Sequence, residues 1–448
     1  MKRREMAFPK NVSYVLEQLE QKGEGYLVGG CVRDILLGKE PHDYDFCTNL
    51  SYEDLQQIFK QYPCFKTGKS FGVFRVQIDG EEFEIAKFRS DEGSDGRRPR
   101  NIRFVETIEE DLARRDFTIN AMAYHQRKGF LDIYGGKEDL RKKQIRLVGN
   151  PAERIREDGL RIMRAFRFVS QLGFRLEENT KRAIAQEKQM LQKIAKSRIT
   201  EEWNKLVVGD FVMEALTEMR NTGVLEMLFP SLQTLYNFPQ NSPYHCYDLW
   251  EHTLHVVQSV PNDLILRLAA IFHDIGKPLT KTVDEKTGYY HFYGHEKKGA
   301  EIIGRILQGE LEEPNSIKKE VEFLIANHML LHQNVEERNI RNIISRFGEE
   351  RSRKLVQLSM ADNLAKNLKK ISDKNPEELF YKIIKEPIPG LSDLAVNGFD
   401  LMKLGYVGKD IQKIKEYLLE QVLERRIENE GTVLLEEAKK VIKNKILS

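Results

Sequence analysis

From Tyr26 to about residue 90, short apolar runs alternate with helix-length stretches; beyond about residue 105 the apolar spacing becomes helical and stays so. "YLVGG" (26–30) is an apolar run closed by two glycines, which predicts a strand entering a tight turn. "CVRDILLG" (31–38) has helical spacing and a glycine stop. "HDYDFCTN" (42–49) alternates and predicts a strand. "FGVFRVQIDGEEFEIAKFR" (71–89) predicts two strands around an Asp79-Gly80 turn. "SDEGSDGRRPRN" (90–101) reads as a polar loop. In the helical part, strand signals survive only in "LDIYGG" (131–136) and "IRLVG" (145–149). The pattern predicts an α+β head with a mixed sheet, followed by a long all-α neck and body.

"QNSPYH" (240–245) and "KEPIPGLSD" (385–393) break the helical pattern. The expected division is a head at 1–145, a helical neck at 146–239, a helical body at 240–370 and a helical tail at 371–448.

Of the 448 residues, 40% are hydrophobic and 31% charged, the balance of a globular protein. No apolar run approaches the roughly 18 residues of a membrane span, and "MKRREMAFPKNV" lacks the apolar core of a signal peptide. Cys31, Cys47, Cys64 and Cys246 stand apart with no CxxC spacing, which points away from a disulfide framework and towards a reducing cytoplasm. The net charge of +2 conceals a basic block. From Arg141 to Thr200 there are 16 Lys plus Arg against 6 Asp plus Glu, a surplus of +10, so the remainder sums to −8. Such a block suggests a polyanion partner, against the plainer reading of a solvated helical face.

The head carries the first candidate chemistry. Gly29 and Gly30 let a backbone approach a ligand, the following helix turns its positive end to the same place, and Arg33 adds a cation suited to phosphate. Asp43 and Asp45, two apart on an expected strand, would project to one face. Two adjacent carboxylates stay ionised most readily beside a cation, and all-oxygen ligands completed by substrate phosphates suit Mg²⁺. A pair of such metals would activate a hydroxyl and stabilise leaving pyrophosphate.

"LVGGCVRDILLG…DYDF" resembles the first motif of the class II tRNA nucleotidyltransferase and bacterial poly(A) polymerase family, whose head is polymerase-β-like. "RRDFTINAMAY" (114–124), "DIYGGKEDL" (132–140) and "REDGLRIMRAFRF" (156–168) follow in the family's order, over roughly residues 20 to 235. The resemblance implies that Asp43 and Asp45 are catalytic. It assigns triphosphate and ribose contacts to Arg114, Arg115, Asp116 and Asn120. It gives base selection to Glu157, Asp158 and Arg161, with Arg164 one helical turn on. On a continuous helix Glu157 and Arg161 would share a face. Carboxylates accept from the exocyclic amine that CTP and ATP carry, and arginine donates to ring acceptors. The implied activity is addition or repair of the 3′-terminal CCA of tRNA from CTP and ATP. The rivals are A-adding-only and CC-adding-only enzymes and a poly(A) polymerase, whose usual longer basic C-terminal extension is not seen after "VIKNKILS". The arginine-rich segment 91–99 falls where A-adding members carry a mobile segment, which leans against a CC-only enzyme.

Eight of the ten histidines lie between 245 and 332: His245, His252, His255, His273, His291, His295, His328 and His332. Their order resembles the HD superfamily of metal-dependent phosphohydrolases. That likeness implies one metal on His252, His273, Asp274 and Asp362, a second on His295 and His328, and a phosphate contact from Lys277. The donor set suits Mn²⁺, Fe²⁺, Co²⁺ or Ni²⁺ better than Mg²⁺ alone. An HD phosphohydrolase whose head merely binds nucleotide, and a non-catalytic RNA-binding scaffold, are the readings from other classes. "LSDLAVNGFDLMKLGYVGKDIQKIKEYLLEQVLE" (391–424) resembles the tRNA-gripping tail of Gram-positive-type members. The expected partners are tRNA, ATP and CTP, with no membrane. The sequence leaves the oligomeric state open.

Overall fold

The computed structural model describes residues 8–65, 72–94, 96, 99–243, 245–331, 335–366 and 375–443. Asp95, Arg97 and Arg98 of the expected polar loop, Tyr244 of the expected linker, His332 and the last five residues lie outside the described residues. The chain forms two compact units, Met1–Pro230 and Ser231–Ser448.

The first unit is built on β1 (Gly25–Val28), β2 (Asp45–Thr48), β3 (Cys64–Phe65), β4 (Val73–Ile78), β5 (Glu81–Lys87), β6 (Arg89–Ser94), β7 (Pro99–Phe104), β8 (Met122–His125) and β9 (Gly129–Asp132). Among the described residues its main sheet has the order β3-β4-β5-β2-β1-β8-β9. The β2–β5 pair is parallel and its other pairs are antiparallel. The mixed sheet thus agrees with the expected head. In β4 the alternation buries Phe74, Val76 and Ile78. Asp79 and Gly80 both take positive φ, 50° and 87°, as the tight turn between paired strands requires. Central β1 is buried along its whole length, so its residues run apolar without alternating.

Four local expectations need correction. The polar segment after Arg89 is a hairpin, β6 with β7, paired from Arg89↔Phe104 to Ser94↔Pro99. Backbone pairing alone makes a two-stranded ribbon, so no apolar alternation announces it. "MAYH" is a strand, β8, held between β1 and β9; four residues amid helical spacing give too short a signal. The strand expected from His42 begins only at Asp45, leaving Asp43 in a bend before it. Glu157 to Arg161 do not share one helix. The helix Pro151–Glu157 ends there, Asp158 is extended (φ −147°, ψ 104°), and a new helix runs Leu160–Leu172. The break is pinned by the Gly159 N–H, which donates to the Gly96 carbonyl at 3.1 Å.

Among its described residues the second unit is helical apart from the short ribbon of Thr282–Val283 with Tyr290–His291. Helices Leu249–Ser259 and Leu264–Phe272 start at Asp248 and Asp263, whose carboxylates accept from the N–H groups of Glu251 and Leu266. Helices His295–Gly309, Asn315–Asn327 and Glu349–Lys366 complete the frame around the histidines. Helices Gly398–Lys403, Lys409–Leu423 and Gly431–Lys443 close on a core of their own, with Leu401, Ile414, Leu418 and Leu434 at its centre. Among the described residues no helix is long and apolar enough to cross a membrane. The four cysteines are free thiols.

Candidate functional site

Gly29 follows β1 at φ 77°, ψ −132°, a backbone that a side chain rarely permits. Space demands glycine as well. A Cβ there would stand 2.9 Å from Nη1 of Arg115 and 3.8 Å from Oδ2 of Asp45. The turn therefore brings Arg115 and Asp45 against the backbone from which helix Gly30–Leu36 begins. Asp45 opens β2 directly opposite Glu84 of β5, and paired positions on neighbouring strands project to one face of a sheet. Burial pushes the Asp45 carboxyl up; Arg115 opposes this, while Glu84 and Asp43 add to it. Three carboxylates thus crowd this corner. Glu84, which also pairs with Arg75, escaped the sequence reading because the β2–β5 crossover cannot be read from one strand. An all-oxygen, like-charged donor set fits a hard divalent cation such as Mg²⁺.

Arg33 points elsewhere than a free phosphate anchor would. Its Nε and Nη2 donate to Asp34 at 2.9 and 3.1 Å, and Nη1 to Asn120 Oδ1 at 2.9 Å. Asn120 Nδ2 in turn donates to Asp116 Oδ1 at 3.3 Å, and Arg164 Nε donates to Asp116 Oδ2 at 2.7 Å. Burial would raise the Asp116 carboxyl, but Arg164 and the donors around it prevail and hold it at about 2. Arg33, Arg164 and Arg167 all stand over the Phe168 ring, at 5.4, 5.8 and 4.3 Å from its centroid. Head and neck residues are therefore interlocked here.

Beside them, fully buried Asp111 accepts from both Arg114 and Arg115. The sequence reading missed Asp111, which looks like one more acid in the first turn of a helix. Its only signal is its spacing, three and four residues before the arginine pair.

Across the helix break, Arg161 Nη1 donates to Glu157 Oε2 at 2.8 Å and to the Arg154 carbonyl at 2.6 Å. Arg154 also pairs with Glu157 and reaches the carbonyls of Arg114 and Arg115. The expected Glu157–Arg161 contact is present, made across a break rather than along a helix. Asp158 Oδ1 accepts from the Leu160 N–H at 3.0 Å, and burial pushes its carboxyl up. Arg114, Arg115, Asp116, Glu157, Asp158, Arg161 and Arg164 line one cleft of about 560 Å³, joined by Arg89, Asp91 and Arg198. Six arginines against four acids give it the balance to take a polyanion carrying a polar base. The basic block itself is partly spent within the protein: Arg141, Arg156, Arg167 and Lys181 pair with Glu138, Glu187, Glu202 and Glu218.

In the second unit, two sets of buried potential metal ligands stand together: His252, His273 and Asp362; and Asp274, His295 and His328. Asp274 faces both, with Oδ2 at 3.1 Å from His273 Nε2 and Oδ1 at 3.2 Å from His295 Nε2. The Nδ1 atoms of His273, His295 and His328 lie 2.9, 2.7 and 2.7 Å from the carbonyls of Ala270, Phe292 and Ile325. A carbonyl only accepts, so each Nδ1 carries the proton and each Nε2 faces inward, the orientation in which a neutral ring can hold a metal. His252 Nε2 lies 3.0 Å from Asp362 Oδ1, and His273 Nε2 lies 3.1 Å from Asp274 Oδ2. Within each set the ligand atoms lie within 4.8 Å of one another, close enough to share one ion. The residues fit a transition metal. Lys277 Nζ lies 2.7 Å from Asp274 Oδ2 and 2.8 Å from Gln240 Oε1, while Lys366 pairs with Asp362. His245 packs 5.6 Å from the His252 ring, its imidazole pushed down to about 3 by burial and held neutral.

Residues 25–146 match the poly A polymerase head domain, residues 173–235 the probable RNA and SrmB-binding site of polymerase A, and residues 244–367 the HD domain. The chain is 43% identical over 214 residues to a CCA-adding enzyme of Lactobacillus delbrueckii subsp. bulgaricus, a match covering 47% of this chain and 54% of that protein. It is 43% identical over 216 residues to one of Geobacillus kaustophilus, covering 48% and 53%. The matches thus span about half the length of these curated relatives. In three dimensions it resembles the Bacillus stearothermophilus CCA-adding enzyme in complex with CTP, with a TM-score of 0.69 and 25% identity, over 98% of this chain and 99% of that one. The Thermotoga maritima CCA-adding enzyme complexed with tRNA shares the fold at a TM-score of 0.62 and 21% identity, over 97% and 96%.

Proposed function

We propose that this chain, whose residues 25–146 and 173–235 match the head and RNA-binding regions of poly(A) polymerases, adds or repairs the 3′-terminal CCA of tRNA from CTP and ATP. The observation that carries the reading is the single cleft in which Arg114, Arg115 and Asp116 of the head meet Glu157, Asp158 and Arg161 of the neck. Phosphate-binding and base-reading groups share one space, as selection of a nucleotide without a nucleic-acid template requires. The relatives named CCA-adding enzymes and the CTP complex of a similar enzyme favour this over a poly(A) polymerase.

The reaction joins the tRNA 3′-oxygen to the α-phosphorus and breaks the bond from that phosphorus to the oxygen bridging to the β-phosphate. Pyrophosphate leaves, and the hydroxyl proton passes to a head carboxylate. Asp43, Asp45 and Glu84 would hold Mg²⁺, which when bound acidifies a hydroxyl and offsets charge on the leaving group. Arg114 and Arg115 hold the triphosphate. Asp116 fixes Arg164 in the cleft, Asn120 braces Asp116, and the two would face the ribose. Glu157 or Asp158 accepts from the exocyclic amine of C or A, and Arg161 orders that edge.

The buried histidine–aspartate sets support a second activity in the other unit, metal-dependent hydrolysis of a phosphoester. His252, His273, Asp274, His295, His328 and Asp362 would hold Mn²⁺, Fe²⁺, Co²⁺ or Ni²⁺, and Lys277 would turn from Asp274 and Gln240 to meet a phosphate oxygen.

The test of the first reading is incubation of tRNA ending at the discriminator base, at C or at CC with each labelled nucleotide alone. CMP should enter the first two and AMP only the third. Incorporation of AMP alone, whatever the end, would make the chain a poly(A) polymerase.

A further inference from the structure

We infer that Asp111 is the positioning residue that aims two arginines at the phosphates of the bound nucleotide. This rests on the nucleotidyltransferase reading and deepens it. Asp111 is wholly buried, yet its carboxylate serves three partners from two elements. Oδ1 accepts from Nε and Nη2 of Arg114 at 3.0 and 2.8 Å, and from the backbone N–H of Arg89 at 3.2 Å. Oδ2 accepts from Nε and Nη2 of Arg115 at 3.3 and 3.2 Å. Each guanidinium spends the same edge on Asp111, so its Nη1 corner is the one left to aim. For Arg115 the direction is set: Nη1 would lie 2.9 Å from a Cβ on Gly29, at the turn beside Asp45. Arg114 and Arg115 both line the cleft.

Adjacent guanidinium groups in a part-buried corner repel and, unheld, splay apart. One shared carboxylate leaves the trio at +1 and fixes both forks, so neither arginine has to be ordered when an anion arrives. Pre-ordering of this kind raises affinity by cutting the cost of binding. The Arg89 N–H bond ties the foot of the β6–β7 hairpin to the same carboxylate. Asp111 touches no substrate. Its effect should follow the phosphates and ignore the base.

The experiment compares wild type with Asp111→Asn in the full chain, with the Ki of inorganic pyrophosphate, the KM of CTP and ATP, base choice and tRNA Kd as readouts. Pyrophosphate has neither base nor ribose, so it isolates the arginine corner. The expected result is a Ki and both KM values raised about tenfold, the size of one lost charge-assisted contact. Discrimination against UTP and GTP and the tRNA Kd should stay unchanged. In Arg114→Ala/Arg115→Ala, adding Asp111→Asn should change the Ki less than twofold, because partners acting as a unit are not additive. Should the Asn protein fail to fold, Asp111→Glu, which keeps the charge and moves it by one methylene, gives the same readout. A Ki left at the wild-type value in a folded variant, or altered base choice with unaltered Ki, would overturn the inference. A wild-type protein that neither transfers nucleotide nor binds pyrophosphate would instead overturn the reading beneath it.

Discussion

Arg164 of the neck closes on Asp116 of the head, with Nε 2.7 Å from Oδ2, in a corner where Asp116 is 11% exposed. Burial would favour the neutral acid, but Arg164 and the donors around it hold the carboxyl at about 2, below its ordinary 3.8. A depressed carboxyl contributes stability that is complete above its unfolded pKa and is lost as pH falls through the folded one. The pair should therefore stabilise fully above about pH 4 and fade towards pH 2. Arg164→Gln should cost about 2–3 kcal/mol at pH 7, the penalty of stranding a part-buried charge. In denaturant titrations the gap between variant and wild type should narrow between pH 4 and pH 2. A gap independent of pH would show that Arg164 acts through packing alone.

The three carboxylates at the end of β1 should behave as one set. Asp43→Ala, Asp45→Ala and Glu84→Ala are each expected to reduce nucleotide transfer by about 100- to 1,000-fold, the size of losing a preorganised electrostatic group. The tRNA Kd should stay within twofold of wild type. Glu84 is the discriminating case, because only its pairing with Asp45 across β2 and β5 points to it. Near-normal transfer by Glu84→Ala would reduce the set to the two aspartates.

Loss of base choice should separate from loss of fold in the neck. Asp158→Ala and Glu157→Ala should raise UTP and GTP incorporation relative to CTP and ATP by about tenfold, within the usual value of a specific base contact. Arg161→Ala should also lower the melting temperature, because its guanidinium holds Glu157 and the Arg154 carbonyl. Unchanged discrimination in all three would place selection elsewhere.

The second unit should bind a transition metal through its two ligand sets. Metal analysis after supplementation with Mn²⁺, Fe²⁺, Co²⁺ or Ni²⁺ should find a stoichiometric ion. The loaded protein should hydrolyse a phosphoester such as a 2′,3′-cyclic nucleotide. His273→Ala with Asp274→Ala should abolish both and spare nucleotide transfer. No bound ion and no hydrolysis would leave this region a structural helical domain.

The β4–β5 hairpin was legible in the sequence because alternation and an Asp-Gly turn act within a few residues of one another. The order of His252, His273, Asp274, His295, His328 and Asp362 was legible too, and the structure gathers them in two buried sets. The break at Asp158 was not, because its pin is the Gly96 carbonyl, some sixty residues earlier in the chain. The β6–β7 hairpin hid behind a polar composition that a loop would share. Asp111 hid most completely. A buried acid and an exposed acid are the same letter, and only its arginine partners distinguish them.

The most direct measurement supplies CTP and ATP together to tRNA lacking its 3′ end and reads the product at single-nucleotide resolution. The account predicts three added nucleotides, C, C and A in that order, followed by a stop, because one cleft both binds the phosphates and reads the base. A lengthening tail of A, indiscriminate use of all four nucleotides, or no extension at all would contradict it.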